Sequence, residues 1–375
     1  MLSNTENQDT STENQNTSRT KLGWLLFFVV AAICLLVWLW CIGFAYSLDD
    51  YIPVWVARIL AGVIGLGLPA LFLWCRPSKR LSVIGLGVVF LACFIGFKSM
   101  RPSHDRDWGE AQAVLPFAEF IEPGGNTIPQ NDSGVQAEQV VINNIRATRY
   151  GPVAAGGTSR YSDTYELSKL KSVWFGVDRF TDVEPLAHTF LSFEFEPGSH
   201  RTNFLAFSVE TRREKDELMY SPIRGIFNNY EVIYVIADEQ DVLSVRSDVQ
   251  EHVVQLYPVR ATRQQAREMF VGMLQRANAI RQTPEFYHTL TSNCTNNIVY
   301  HTNMVLEDPI SAWQRGVVFP GYSDWLAYQL GIIDTDLSLE EAREKFRIDQ
   351  RVKAYDGKGN FSEFIRAVEV ETDTQ

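Results

Sequence analysis

The hydrophobic positions of the chain are concentrated in its first quarter. Apolar runs occupy residues 22–46, 51–75 and 81–97, and a helix that crosses a bilayer needs about 20 apolar residues. We therefore predict three transmembrane helices within residues 21–99. The polar, low-complexity residues 1–20 have almost no apolar side chains to offset the entropy of ordering, which predicts a disordered cytoplasmic tail.

Basic residues are distributed unevenly around these runs. Arg19 and Lys21 precede the first run and residues 76–80 (RPSKR) separate the second from the third, whereas residues 47–50 (SLDD) are acidic. Basic loops mark the cytoplasmic side of a membrane. We therefore predict a multi-pass protein of the inner membrane, with a cytoplasmic N terminus and a periplasmic domain after residue 100. If one of the three runs is re-entrant, that domain would instead lie in the cytoplasm.

After residue 100 the pattern becomes typical of β-strands. Residues 100–136 are rich in Pro, Gly, Asn and Asp and predict a linker. Short runs of Val, Ile, Phe and Tyr with brief connections then predict an antiparallel sheet. The runs are residues 138–150, 172–178, 186–195, 203–211, 230–238 and 252–259.

Two helices are predicted after the strands. The first opens with Thr262 and Gln265, a capping-box pair, and carries apolar residues at spacings of three and four. The second starts near Cys294. Strands followed by helices predict an α+β domain, which we place at residues 137–335. Residues 336–375 are interpreted as its extension, partly disordered, in which SLEEAREKF predicts a short helix.

Composition narrows the function. The net charge of -11 argues against a nucleic-acid partner, and the sequence contains no Gly-rich phosphate loop. Cys294 is the last of five cysteines and stands alone after residue 100. Outside the cytoplasm paired thiols oxidise to disulfides, so an unpaired thiol is either buried and inert or reactive. The oligomeric state is not predicted.

Cys294 has the position of a nucleophile. A helix N terminus favours the thiolate, and a nearby imidazole would accept the thiol proton. His188 is our first candidate, because alternation along LAHTFLSFEF holds it on a strand face with Phe190, Ser192 and Glu194. The second is His288, six residues before the cysteine. The other histidines are less suitable by position: His104, His200, His252 and His301.

A metal site is the competing reading of the same region. Cys294, His288 and His301 form the pattern H-x5-C-x6-H, which lacks the close ligand pair typical of zinc sites. We therefore predict neither a metal nor another cofactor. The simplest alternative is that Cys294 is a small buried residue without chemistry.

The strands and the cysteine segment together resemble a known family. LAHTFLSFEF, LAFSVETRRE, YEVIYVIADEQDVLSVRSD, VQLYPV, FYHTLTSNCTNNIV and GNFSEFIRA resemble the periplasmic domain of Lnb, a bacterial lipoprotein N-acyltransferase, over residues 137–367. A strand histidine followed by a cysteine that opens a helix is also similar to the permuted papain-like, NlpC-type fold of lecithin-retinol acyltransferase relatives, which share the pair Asn293 and Cys294. The resemblance implies Cys294 as nucleophile and His188 as base.

The expected function follows from this resemblance. Cys294 would take an acyl chain from a phospholipid as a thioester and pass it to an amine, by resemblance the N terminus of a lipoprotein. Lnb proteins place the periplasmic domain before their membrane helices, whereas here the helices come first, which puts the acceptor in doubt. Two rivals remain: a Cys-His hydrolase of peptides or cell-wall material, and a membrane-tethered binding domain without activity.

Supporting roles are assigned to residues around this pair. Glu210 on the neighbouring strand is predicted to orient His188, although an ion pair with a nearby arginine explains it equally well. Backbone N–H groups with Tyr287 or Asn293 would stabilise the oxyanion, and Arg212 would line the cleft with Thr211. Three charged residues are interpreted as a scaffold ion network: Glu239, Asp241 and Arg246.

Overall fold

The computed structural model describes residues 6–74, 79–127, 137–150, 157–215, 217 and 220–367. The chain divides into two compact units, Met1–Arg101 and Pro102–Gln375. In the described residues the first unit contains only helices, and the second contains a sheet with helices around it.

The first unit contains fewer candidate membrane helices than predicted. Its helices are α1 (Glu6–Tyr46), α2 (Val54–Trp74) and α3 (Lys79–Ser99). Among the described residues, Trp24–Asp49 and Leu81–Ser99 are long and apolar enough to cross a membrane, whereas the apolar stretch of α2 spans only Val54–Gly67. The prediction of three crossing helices is therefore corrected to two candidates. Pro69 lies inside α2, further along than this stretch.

The N-terminal tail also differs from the prediction. α1 begins at Glu6, so disorder does not hold for residues 6–20, and residues 1–5 lie outside the described part of the chain. No Gly or Pro occurs between Glu6 and Lys21. Once the apolar segment has formed a helix, adding further residues costs little, because the nucleus already exists.

The second unit is built on one mixed but mostly antiparallel sheet. Its strands run in the order β1-β2-β7-β6-β5-β4-β8, with β3 paired to β2, and β2 and β7 form the parallel pair. The strands are β1 (Phe117–Ile121), β2 (Gln139–Arg146), β3 (Arg160–Glu166), β4 (Leu170–Arg179), β5 (His188–Phe195), β6 (Phe204–Arg212), β7 (Glu231–Asp238) and β8 (Val253–Pro258). The α+β class is confirmed.

Six of these strands match predicted runs, and two do not. β1 lies in the segment predicted as a linker, and β3 consists largely of polar residues, RYSDTYE. The linker prediction is therefore wrong, because residues 117–121 pair with β2 and belong to the sheet. The polar strand lacks the alternation on which sequence prediction depends.

Helices in the second unit lie before, between and after the strands. They are α4 (Glu110–Ala113), α5 (Pro222–Ile226), α6 (Glu239–Ser244), α7 (Arg263–Gln282), α8 (Cys294–Thr302), α9 (Arg315–Val318), α10 (Ser323–Gln329), α11 (Leu339–Lys345), α12 (Asp349–Ala354) and α13 (Phe361–Arg366). A π-helical turn, Val245–Val249, continues α6. The predicted capping box of α7, between Thr262 and Gln265, is present.

The two faces of the sheet bury different helices. On one face Phe270 of α7 packs edge-on against Phe193 and Phe207, with ring centroids 5.1 and 5.3 Å apart. On the other face Phe190 belongs to a second core with residues of α12 and α13. The C-terminal extension therefore covers the sheet through Ala367, and the predicted disorder of the last residues falls on 368–375, outside the described part.

Candidate active site

Cys294 is the first residue of α8. Asn293 caps the helix: its Oδ1 accepts a hydrogen bond from the backbone N–H of Asn296 at 2.8 Å, and the Asn296 side chain accepts one from the N–H of Asn293 at 3.2 Å. This reciprocal cap fixes the start of the helix at the thiol. Cys294 is 2% exposed, so its chemistry depends on the groups around it.

His188, the first residue of β5, lines the same cleft as this thiol and interacts with it electrostatically. Burial raises the pKa of Cys294, but the charge of His188 and hydrogen bonds from His188 and Thr189 outweigh burial and lower the pKa to about 7. Burial lowers the pKa of His188, whereas its interaction with Cys294 raises that pKa overall. Opposite shifts of this kind favour a thiolate–imidazolium pair.

Ser208 lies between His188 and Glu210. His188 Nε2 is 2.7 Å from Ser208 Oγ, and that hydroxyl donates to Glu210 Oε1 at 2.9 Å. Because the single hydroxyl proton is directed to the carboxylate, Nε2–H of His188 donates to Ser208. Nδ1 is thereby left unprotonated for the proton of Cys294. The predicted orienting role of Glu210 thus acts through an intervening serine.

Arg246 closes this network. Its guanidinium donates to Glu210 Oε1 at 3.0 Å and to Ser208 Oγ at 3.2 Å, and its Nε lies 3.1 Å from Asp178 Oδ2. Burial raises the pKa of Glu210, but the charges of Arg246 and Arg146 outweigh this effect and lower it to about 2. The carboxylate is therefore ionised at neutral pH and can hold the serine hydroxyl.

Tyr287 lines the cleft together with Cys294. Burial raises the pKa of Tyr287 well above its usual value. The phenol therefore stays protonated and can donate to a charge that develops beside the sulfur. The oxyanion role of Tyr287 stays a prediction.

Asn293 and Arg212 are used elsewhere. The Nδ2 of Asn293 donates to the carbonyls of Thr289 at 3.0 Å and Val317 at 3.3 Å, so both ends of the amide serve the cap and the loops. Arg212 is 3% exposed and donates to the carbonyls of Gln112 and Ala113 at 3.0 and 2.8 Å. The prediction that Arg212 lines the cleft is therefore wrong, because this segment holds its guanidinium.

His288 and His301 do not converge on the thiol. The Thr291 hydroxyl lies 3.0 Å from His288 Nδ1, within the loop that precedes α8. Nε2 of His301 is 3.2 Å from the hydroxyl of Tyr234. Among the described residues, no group of His, Cys, Asp and Glu side chains is arranged to hold a metal ion. The second-choice base is therefore not a partner of Cys294.

A cleft of about 730 Å³ opens onto this pair, a volume in the range of small-molecule sites. Its lining combines apolar and charged side chains. The apolar group includes Phe180, Leu186, Ile226, Leu290, Val318 and Phe319, and the charged or titratable group includes Arg146, Asp178, Glu210, Arg213, Arg246 and His252. The site can therefore hold an apolar chain and a polar group together.

Sequence reasoning missed two members of the site. Ser208 precedes Glu210 by two residues, so strand alternation places both on one face, and that spacing was the available signal. Arg246 was interpreted as part of a scaffold network with Glu239 and Asp241. The structure separates these three: Arg246 contacts Glu210, Asp241 pairs with Arg146 at 2.8 Å and Glu239 binds Arg366.

Comparison with known proteins finds one matching family model. Residues 157–325 match the family model described as the Lnb N-terminal periplasmic domain, and this segment includes His188, Ser208, Glu210 and Cys294. No curated protein and no solved structure matches the chain, so the similarity to permuted NlpC-type folds stays a prediction. Together with two apolar helices, the match indicates a membrane protein with an extracytoplasmic domain.

Proposed function

We propose, on the premise that residues 157–325 belong to the Lnb periplasmic-domain family, that this protein is a thiol acyltransferase. It would move a fatty acyl chain from a phospholipid through a thioester on Cys294 to an amine. The resemblance to Lnb suggests the N terminus of a lipoprotein as that amine. The observation that carries the proposal is the pair of Cys294 at a helix N terminus and His188 on β5, in one cleft with apolar side chains.

The first half-reaction would load the enzyme. Nδ1 of His188 accepts the proton of Cys294, and the sulfur attacks the ester carbonyl of the donor lipid. Tyr287 and the first N–H groups of α8 stabilise the oxyanion. The ester C–O bond then breaks, and His188 returns the proton to the leaving lysophospholipid alkoxide, which gives an acyl-thioester and a neutral imidazole.

The second half-reaction would release the chain. A neutral amine attacks the thioester carbonyl, one N–H proton passes to His188, and the C–S bond breaks as that proton returns to sulfur. An amide is more stable than a thioester, so the transfer needs no nucleotide. Apolar residues of the cleft, such as Leu186 and Phe319, would hold the chain meanwhile.

Mass spectrometry of lipoprotein N termini would test this function. Cells with the wild-type chain should carry the N-acylated form, and cells with Cys294→Ser should lack it. Purified wild-type protein incubated with phospholipid should gain one acyl mass on Cys294 that hydroxylamine removes. Unmodified N termini in wild-type cells together with an unmodified Cys294 would reject the proposal.

A hydrolase is the second candidate, and the charged part of the cleft favours it. Arginines such as Arg213 and carboxylates such as Glu110 and Glu214 line the same space as the thiol and could contact the polar groups of a peptide or glycopeptide. In that case water would replace the amine. Purified protein supplied with phospholipid and an amine acceptor separates the two, because a hydrolase releases free fatty acid and leaves the amine unmodified.

Thiol reactivity tests the remaining rival, a binding domain without chemistry. We expect a membrane-impermeant alkylating reagent to label Cys294 quickly in intact cells near neutral pH, and His188→Ala to slow the labelling. Resistance of wild-type Cys294 to the reagent would favour the binding domain. The extracytoplasmic location of Cys294 is tested by the same experiment. The cytoplasmic N terminus, which was predicted from the basic residues around the apolar runs, stays a prediction.

A further inference from the structure

A second histidine lines the cleft and is oriented by a carboxylate. His252 immediately precedes β8, and its Nδ1 lies 2.9 Å from Oδ1 of Asp178. The side chains are 19% and 5% exposed, respectively. In the part of the chain that the structure describes, Nε2 of His252 has no hydrogen-bond partner. A carboxylate that accepts from Nδ1–H makes Nε2 the basic nitrogen.

His188 begins β5 and His252 immediately precedes β8, and these two strands flank β4 on either side. Asp178, near the end of β4, is the register partner of His188 on β5 and of Val254 on β8. Its second oxygen, Oδ2, lies 3.1 Å from Nε of Arg246, which contacts Ser208 and Glu210. Both histidines line the cleft that contains Cys294, so two imidazoles face one substrate space.

Proton balance gives the second imidazole a task. An α-amino group has a pKa of about 8 and is mostly ammonium at neutral pH. An acceptor ammonium has three N–H protons, and the amide product keeps one. His188 can carry one of the other two to the departing sulfur of Cys294. The overall change is thioester plus ammonium to thiol, amide and one free proton, and that last proton needs another acceptor.

We propose, resting on the acyl-transfer function above, that Nε2 of His252 removes this proton from the acceptor ammonium before the amine attacks. The partly exposed imidazole then releases the proton to solvent. Water as acceptor requires no such step, since hydrolysis of the thioester at His188 already balances. The acceptor substrate of the cleft is therefore a protonated amine rather than water, and Asp178 is the residue that positions His252.

Charged groups around His252 are few in the described residues. Asp178 is in contact, and Arg246 lies beyond it and accepts the backbone N–H of His252 on its carbonyl at 2.9 Å. Glu251 precedes His252 in the chain, and the ring of Phe180 lies 6.2 Å away. Asp178 therefore holds the Nδ1 side of the imidazole, and Nε2 remains available to a substrate in the cleft.

Acceptors of different basicity would test this step. The full-length protein in vesicles is loaded from a phospholipid with a labelled acyl chain. It is then offered a diacylated lipopeptide with a free α-amine, or the same lipopeptide with an aminooxy group, which is already neutral at pH 7. His252→Gln should slow transfer to the α-amine by about 10- to 100-fold and transfer to the aminooxy group by less than about twofold.

The pH profile and a matched variant complete the test. In His252→Gln, transfer to the α-amine should rise about tenfold per pH unit below pH 8, and added imidazole should restore transfer in His252→Ala. His200→Gln, a histidine outside the cleft, should match the wild type with both acceptors. If acyl-Cys294 still forms, but His252→Gln slows transfer to both acceptors equally or slows neither, the inference is overturned. If wild-type Cys294 never becomes acylated, the proposed function fails and the inference falls with it.

Discussion

Two carboxylates, Glu210 on β6 and Glu239 at the start of α6, have similar partners in different surroundings. In the Glu210 network, Ser208 and Arg246 donate to Glu210 at 2.9 and 3.0 Å. In the Glu239 network, Ser192 and Arg366 donate to Glu239 at 2.6 and 2.7 Å. The first network continues to His188 and the cleft. The second is closed, because Glu239 is fully buried and Arg366 lies 4.4 Å above the ring of Trp174.

The difference distinguishes a candidate active site from a structural ion network. Both networks contain a serine, a glutamate and an arginine, but the Glu210 network alone adds a titrating imidazole and a thiol. Arg366 is the last residue of α13, so the Glu239 network attaches the C-terminal extension to the sheet. An ion network therefore indicates function when it ends on a nucleophile in a cleft, and stability when it ends on another element of the fold.

The largest effect is expected at the nucleophile. Cys294→Ser replaces the thiol by a hydroxyl that ionises far less readily, so we expect transfer to fall by about 1000-fold or more. Labelled phospholipid and gel detection of the acyl-enzyme measure the loss. Thermal unfolding should change little, because the two side chains are similar in size. Full activity of the serine variant would show that Cys294 is not the nucleophile, and the Glu210 network would then have no catalytic role.

The next prediction compares the two carboxylates directly. Glu210→Gln leaves Arg246 with Asp178, so we expect a stability loss of about 1–2 kcal/mol but a 10- to 100-fold slower transfer, roughly the contribution of a positioned proton acceptor. Glu239→Gln leaves the buried charge of Arg366 without its partner and should cost about 3–5 kcal/mol. Its transfer rate, measured below the unfolding transition, should equal that of the wild type.

Urea unfolding and transfer assays on both variants give the outcome. The comparison fails if Glu239→Gln loses activity as strongly as Glu210→Gln while still folded. It also fails if Glu210→Gln is the less stable of the two. Either result would mean that the two networks have the same role.

The sequence predicted the nucleophile and the base better than the residues that support them. Cys294 and His188 were accessible because a capped helix start and an alternating strand have strong local patterns. Arg246 was not, because its partner depends on which strand lies beside β6, and pairing order is a long-range property. The same limit explains Arg212, whose guanidinium is held by the carbonyls of Gln112 and Ala113, about 100 positions away.

A smaller effect is expected at Phe190, which lies between the Glu210 network and the Glu239 network along β5. Phe190, between His188 and Ser192 on β5, lies across Gly176 of β4, where an added Cβ would be 2.1 Å from its ring. Gly176→Ala should displace that ring and cost about 1–3 kcal/mol by overpacking. The double variant with Phe190→Leu should recover part of the loss in urea unfolding. A Gly176→Ala protein as stable as the wild type would show that the ring is not confined there.

The smallest effect is expected at the two serines, and it depends on pH. Alkylation of Cys294 should accelerate as pH rises through about 7, where the thiol ionises. Ser208 stabilises the imidazolium of His188 by accepting from Nε2–H, so Ser208→Ala weakens the charge that lowers the thiol pKa. The alkylation midpoint should therefore move upward by less than about one pH unit, or under about 1.4 kcal/mol. Ser192→Ala removes a hydrogen bond of similar length from the Glu239 network and should leave the midpoint in place. A midpoint that moves equally in both variants would mean that the thiol responds to general loosening of the sheet. A shift confined to Ser208→Ala would tie the titration of the thiol to the hydrogen bond between Ser208 and His188.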